Sequence, residues 1–107
     1  MKKRITCIFF ICWSVLSYAQ ITTFQKTIGG TENEEAYHIQ QTTDFGYVIC
    51  GYTSSGNNAI QHQEPLIAKL DQNGKIQWMY TFNDGTNDNG HFRYVSQTSD
   101  GGYIATG

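Results

Sequence analysis

The chain has 107 residues, and its seven basic and nine acidic side chains give it a formal net charge of −2 at neutral pH. Three of the basic residues lie at positions 2–4, so a chain that loses this start keeps four basic and nine acidic side chains and a net charge of −5. A surface of that sign repels phosphate backbones and anionic lipid heads, which argues against nucleic-acid and peripheral-membrane binding.

Residues 1–19 have the layout of a secretory signal peptide. The basic residues at positions 2–4 precede an apolar run from Ile5 to Leu16, and Ser17 and Ala19 supply the small residues of a cleavage site. The apolar run has twelve residues, whereas a membrane-spanning helix needs about 20. We therefore predict cleavage after Ala19 and export through the periplasm, to give a protein that is secreted or held at the outer cell surface without a membrane span.

The rest of the chain alternates between apolar and polar residues and shows no helical periodicity, which predicts an all-β fold. Turn segments at 44–46, 71–74 and 100–102 carry an Asp to cap a tight reversal and a Gly to supply positive φ. The strands between residues 36 and 82 should therefore form a four-stranded antiparallel meander, with one long excursion at Ser54–Pro65. The predicted strands span residues 21–28, 36–42, 46–53, 66–70, 75–82, 92–98 and 102–106.

An internal repeat gives this pattern its architecture. Residues 41–51 and 97–107 share one sequence pattern at a spacing of 56, and residues 24–28 align with 78–82 at a spacing of 54. Four strands repeated at such a period are typical of the blades of a β-propeller. The positions that we expect to serve the repeat are Phe24, Gln41, Asp44, Gly46, Tyr47, Gly51, Asp71, Gly74, Trp78, Gln97, Asp100, Gly102, Tyr103 and Gly107.

The repeat also predicts how the exported part, residues 20–107, is divided. Residues 21–28 would be the last strand of a preceding blade, 36–82 a full blade and 92–107 half of another, about one and a half blades together. The faces of a blade are covered only by neighbouring blades, and a closed ring needs at least four of them. We therefore expect a fragment whose partners are the blades missing from this chain, or else a non-functional truncated reading frame with open sheet edges.

Two motifs carry a resemblance to a known kind of repeat. They are Ala36-x-x-Ile39-x-Gln41-Thr42-x-Asp44-x-Gly46-Tyr47-Val48-Ile49-x-Gly51 and Leu66-Ile67-x-Lys69-Leu70-Asp71-x-Asn73-Gly74-Lys75-Ile76-x-Trp78. The chain resembles the tandem β-propeller repeats of secreted bacterial surface proteins, many of which end in a type IX secretion sorting domain. The resemblance implies an exported, non-enzymatic scaffold or binding surface for a protein or glycan, with specificity in loops such as Ser54–Pro65.

An enzyme is the alternative interpretation. Residues 67–78 are also similar to the strand-turn-Trp unit of quinoprotein dehydrogenase propellers, where the ring holds pyrroloquinoline quinone over a calcium ion. The chain lacks the adjacent-cysteine pair of those enzymes, and it shows neither a nucleophile motif nor a phosphate-binding loop. We therefore predict no catalytic residue and no bound cofactor.

Metal binding has one candidate segment, the polar run at residues 83–90. Asp84 and Asp88, with nearby amide carbonyls, supply the oxygen ligands that calcium prefers. Counted from Asp84, however, Asn89 and Val95 take the positions where an EF-hand loop has its Gly and its Glu. Asn, Asp and Gly are also common turn formers, so an ordinary turn is the favoured interpretation. The three histidines, His38, His62 and His91, lack the spacing of a zinc site.

Four repeat positions and the one cysteine outside the leader carry structural predictions. Trp78 and its counterpart Phe24 should be large anchors between blades. Gln41 and Gln97 should hydrogen-bond to neighbouring backbone rather than to a ligand. Cys50 takes the place that a threonine has in the second copy, so it should be a small buried side chain and not a reactive thiol.

Overall fold

The computed structural model describes residues 23–31, 33–54, 62–83, 85 and 89–107. This part of the chain forms six strands and no helix, which confirms the predicted all-β class. The predicted signal peptide, the calcium candidates Asp84 and Asp88, and residues 55–61 of the long excursion lie outside the described residues. The strands are β1 (Glu34–Gln41), β2 (Tyr47–Thr53), β3 (Glu64–Leu70), β4 (Ile76–Thr81), β5 (Tyr94–Gln97) and β6 (Tyr103–Thr106).

The strands form two antiparallel sheets. The first sheet has the order β1-β2-β3-β4, which is the predicted meander, and the second contains β5 and β6. The β1–β2 and β5–β6 hairpins have the same register. Ile39 pairs with Ile49 in the first hairpin, and the equivalent residues of the repeat, Val95 and Ala105, pair in the second. Within the described ranges, no helix is long and apolar enough to cross a membrane.

Residues 23–28 form no strand, although residues 21–28 are predicted as one. An extended segment becomes a strand only when a neighbouring backbone takes its hydrogen bonds, and no strand of the described chain pairs with this segment. The segment still packs on the first sheet, since the Phe24 ring meets the Tyr47 ring edge-on at 5.6 Å. Its assignment to a preceding blade stays a prediction.

The turns of the two hairpins share one hydrogen-bond pattern. In the first, the Thr42 N–H donates to the Gly46 carbonyl at 2.9 Å, and the Phe45 N–H donates to the Thr42 carbonyl at 3.0 Å. The Asp44 carboxylate accepts from the Thr42 hydroxyl and from the Gly46 N–H, as the equivalent aspartate does in the second hairpin. The repeated sequence therefore corresponds to a repeated turn geometry, in which the aspartate side chain caps the turn.

Positive φ falls on a different residue from the predicted one in the first turn. Phe45 has a φ of 64°, whereas its equivalents Gly101 and Gly74 have φ of 83° and 82°. Glycine is required at position 46 for a different reason, because a side chain would not fit there: a Cβ on Gly46 would lie 2.2 Å from the Leu70 carbonyl oxygen. The first turn therefore places an aromatic residue in the left-handed region that glycine occupies in the other two.

The two sheets pack face to face. We call the side of the first sheet that carries Val48 and Cys50 its leading face, and the side of the second sheet that carries Val95 its trailing face. Together with Ile67 of β3, these side chains form one buried cluster. Each fully buried aliphatic side chain contributes about 1.5–3 kcal/mol. The residues that pack around the cluster are Trp78, Phe92, Tyr103 and Ala105.

A close backbone approach recurs in both hairpins. A Cβ on Gly51 would lie 1.8 Å from the Glu35 carbonyl oxygen, and a Cβ on Gly107 would lie 1.9 Å from that of His91. The two oxygens belong to equivalent positions of the repeat, and in the first hairpin the contact lies beside the register shift of β1. Only glycine fits at such a distance, so both glycines set how closely the strands meet.

Candidate binding cavity

A cavity of about 520 Å³ lies beside the start of β3 and the end of β4. Three chain segments meet there, and they are joined by backbone hydrogen bonds. The Phe82 N–H donates to the Pro65 carbonyl at 3.0 Å, and the Gly90 N–H donates to the Gln63 carbonyl at 2.8 Å. Its lining residues are His62, Gln63, Glu64, Pro65, Thr81, Phe82, Asn83, Asn89, Gly90 and Phe92.

Aromatic rings form the apolar part of the cavity. Phe82 and Phe92 meet edge-to-face, with their ring centroids 5.4 Å apart and their planes at 74°. Phe82 follows the last residue of β4 and is more than half exposed, whereas Phe92 also packs against the buried cluster between the sheets. An exposed ring anchored by a second ring offers a surface on which an apolar ligand face can stack.

Polar groups surround this aromatic surface. The Glu64 carboxylate accepts a hydrogen bond from Asn83 Nδ2 at 2.7 Å and lies 3.9 Å from His62 Nε2. The Asn89 side-chain oxygen accepts from the Gln63 N–H at 2.9 Å. The His62 Nδ1 is buried and has no hydrogen-bond partner among the described atoms. The cavity thus combines hydrogen-bonding groups with an apolar face, which suits a polar ligand that has one apolar side.

A second polar cluster lies at the other end of β3. Lys69 is buried and its Nζ donates to Asp44 Oδ2, to the Leu70 carbonyl and to Gln77 Oε1, at 2.9, 2.9 and 3.0 Å. Hydrogen bonds from the Thr42 hydroxyl and from Lys69 lower the pKa of Asp44 to about 2. An ammonium group has three donors, and all three are used here. The cluster therefore joins the first turn to β3 and β4.

The burial of Lys69 is not among the features predicted from the sequence. The signal was present, because this residue is the one charge within the apolar run of residues 66–70. Its register partner on β2 is Val48, which is fully buried, so a charge there has to find a partner inside the protein. The partner is the turn aspartate, which lies far earlier in the chain.

The predicted glutamines differ in what they contact. The Gln97 side-chain oxygen accepts from the Thr43 N–H at 2.9 Å, which is a contact with neighbouring backbone. Gln41 is exposed, and the neighbouring Gln40 makes the corresponding link to the second sheet, since its oxygen accepts from the Gln97 N–H at 2.7 Å. The His38 Nδ1 accepts from the Val95 N–H at 3.3 Å in the same way. Side chains of β1 thus receive the backbone donors of β5.

Two ring contacts repeat with the sequence. Trp78 meets Tyr103 with centroids 5.4 Å apart and planes at 65°, and Phe24 meets Tyr47 at 5.6 Å and 66°. Trp78 is partly buried against the cluster between the sheets, whereas Phe24 is partly exposed. The two contacts join equivalent positions of the repeat.

The remaining candidates concern metal and thiol chemistry. Within the described part of the chain, no group of three or more His, Cys, Asp or Glu side chains could hold a metal ion. Cys50 is fully buried, and this burial raises the pKa of its thiol. A raised pKa keeps the thiol protonated and unreactive at neutral pH.

Comparison with known proteins gives no relative. No protein-family model, no curated protein and no solved structure matches this chain. The resemblance to secreted propeller repeats therefore depends on the residues of this sequence alone.

Proposed function

We propose that this chain is an exported, non-enzymatic repeat module of the β-propeller kind, whose stacked sheets are a scaffold that presents a binding surface. The observation that carries the proposal is the repetition of one packing unit in space. Turn hydrogen bonds, glycine contacts and ring pairs recur at equivalent positions of the repeated sequence. One unit lies face to face on the next, as units do in stacked repeat folds.

The cavity beside β3 and β4 is the surface that the scaffold would present. Its aromatic pair is held by the packing between the sheets, because Phe92 contacts the buried cluster. Its polar rim comes from Glu64, Asn83 and Asn89. A rigid support beneath mixed aromatic and hydrogen-bonding groups is the usual construction of a recognition site.

A double-mutant cycle across the two sheets tests the scaffold. Val48→Ala and Val95→Ala both remove methyl groups from the same buried cluster, so their effects on the free energy of unfolding should couple by about 0.5–3 kcal/mol. The control pairs Val48→Ala with Ile104→Ala, because Ile104 is the repeat equivalent of Val48 but is exposed. The control pair should be additive to within about 0.5 kcal/mol. Additivity in both cycles would show that the sheets do not stack, and the proposal would fail.

Export is tested separately on the full chain. We expect the product recovered outside the cytoplasm to begin at Gln20, as amino-terminal sequencing would show. A product retained inside the cell with Met1 in place would contradict the exported part of the proposal and leave the scaffold untouched.

A further inference from the structure

We propose that a second copy of this chain docks head-to-tail on the first, with the leading face of its second sheet on the trailing face of the first sheet. The proposal rests on the proposed function, since it assigns a partner to the repeated unit. The leading face of the second sheet is the side that carries Ile104, the repeat equivalent of Val48. The trailing face of the first sheet is the side that carries Ile39, the repeat equivalent of Val95.

At two pairs of equivalent positions in the repeat, one residue is buried and the other is exposed. Val48 is 0% exposed and Ile104 is 57% exposed, although both are aliphatic and occupy the same register position of their hairpins. Val95 is 1% exposed and Ile39 is 57% exposed. The buried members of the two pairs lie in one cluster, so each is buried by the other unit. The exposed members lack that neighbour within the described chain.

The chain itself shows which surface covers a leading face. The leading face of the first sheet is covered by a trailing face, through Val95 and the groups around it. The chain presents a second trailing face of the same construction, with Ile39 opposite Ile49 on β1 and β2. The surface that fits over Ile104 is therefore already present on another copy of the molecule.

Space for a docked copy remains on the trailing face of the first sheet. Residues 23–28 cover only part of this face, where Phe24 lies on Tyr47 as Trp78 lies on Tyr103. Beside β1 an open cavity of about 350 Å³ is lined by Ala36, Tyr37, His38, Ile39 and Ile49. Within the chain, the equivalent part of the second sheet is the part that contacts β1 and β2. A β5–β6 hairpin can dock there while Phe24 keeps its place.

Two different faces form this interface, so docking is heterologous. One docked pair leaves one leading face and one trailing face free, and further copies add until a ring closes or a filament grows. An interface between two identical faces would instead stop at a dimer. The stoichiometry therefore distinguishes the proposed docking from other forms of self-association.

Sedimentation velocity of the full chain and of two single variants tests the proposal. The wild-type chain should form species larger than a dimer as its concentration rises. Ile104→Asp and Ile39→Asp should each be monomeric, because each variant loses one of the two faces that every contact needs. An equimolar mixture of the two variants should form a dimer and stop there, since it contains one intact face of each kind. Phe45→Asp is the matched control, because Phe45 is exposed but lies in a turn outside both faces, and it should assemble like wild type.

Three results would overturn the proposal. They are a wild-type chain that stays monomeric at all concentrations, a single variant that still assembles, and a mixture of variants that forms no dimer. Ile104→Thr and Ile39→Thr repeat the test with milder changes if circular dichroism shows that an aspartate variant has lost its strands. Coupling between Val48 and Val95 in a monomeric wild type would overturn this inference and leave the proposed function intact. If the effects of Val48→Ala and Val95→Ala are additive, the proposed function is overturned instead.

Discussion

The Phe45→Gly variant should be more stable than the Phe45→Ala variant, although alanine usually stabilises a folded chain more than glycine does. Phe45 has a φ of 64°, in the left-handed region, and its repeat equivalent Gly101 has a φ of 83°. A residue with a Cβ pays roughly 1–2 kcal/mol for this conformation. Alanine recovers about 0.4–1 kcal/mol because its unfolded chain is less flexible than that of glycine. The difference leaves glycine ahead by about 1 kcal/mol.

The repeat supplies a second position at which the same difference can be measured. A Cβ on Gly101 would meet no atom within 4 Å, so Gly101→Ala adds backbone strain without a clash. Phe45→Gly should therefore be more stable than Phe45→Ala by about the amount that Gly101→Ala loses relative to wild type. Comparing glycine with alanine at both positions also removes the contribution of the Phe45 ring, which is mostly exposed.

Urea unfolding of the full chain, followed by circular dichroism, measures all four free energies of unfolding. For a chain of this size, a difference of about 1 kcal/mol should also shift the midpoint of thermal unfolding by about 4–8 °C. The reasoning is refuted if Phe45→Ala proves more stable than Phe45→Gly. It is also refuted if the differences at the two positions disagree by more than about 1 kcal/mol, because the turns would then not share a backbone conformation.

Three further predictions follow from the same structure. Gly51→Ala should destabilise the chain by about 3 kcal/mol in urea unfolding, more than Gly101→Ala does, because the added Cβ meets the Glu35 carbonyl and overpacking has this order of cost. The Asp44 carboxyl has a pKa of about 2 in the folded chain against an ordinary value of 3.8, so its stabilisation is complete above pH 3.8 and is lost as the pH falls towards 2. Asp44→Asn should therefore lower stability at pH 7 and flatten the acid limb of a plot of stability against pH, and an unchanged acid limb would contradict this assignment. Cys50 should resist a thiol reagent in the native chain and react once urea unfolds it, whereas rapid native labelling would show that it is not buried.

The strands were predictable because short-range signals mark both of their ends. Residues 46–53 are predicted as a strand and Tyr47–Thr53 form β2, since the turn at residues 44–46 fixes where the strand begins. β1 starts at Glu34, ahead of its predicted start at residue 36, because Glu34 and Glu35 pair with Thr53 and Tyr52 of β2. Pairing with a neighbour thus extends a strand beyond the apolar pattern that reveals it.

The features that sequence reasoning missed depend on contacts between distant residues. The segment at residues 23–28 has the alternation of a strand but no strand to pair with among the described residues. Lys69 is buried because a turn aspartate from a distant part of the chain accepts its hydrogen bond. The intrinsic structural preference of a residue does not show which distant residue it will contact.

The candidate cavity illustrates why a sequence repeat can predict strands and turns but not a binding surface. The chain from Trp78 to Tyr103 is slightly longer than the chain from Phe24 to Tyr47, yet the two ring pairs have nearly the same geometry. The additional length of the second copy is therefore accommodated in the connection between the rings and not in the ring contact. That connection contributes Phe82, Asn83, Asn89, Gly90 and Phe92 to the cavity. The cavity thus lies in a connection whose length differs between the copies without a change in the ring contact. Comparing the copies for the residues that they share therefore cannot reveal it.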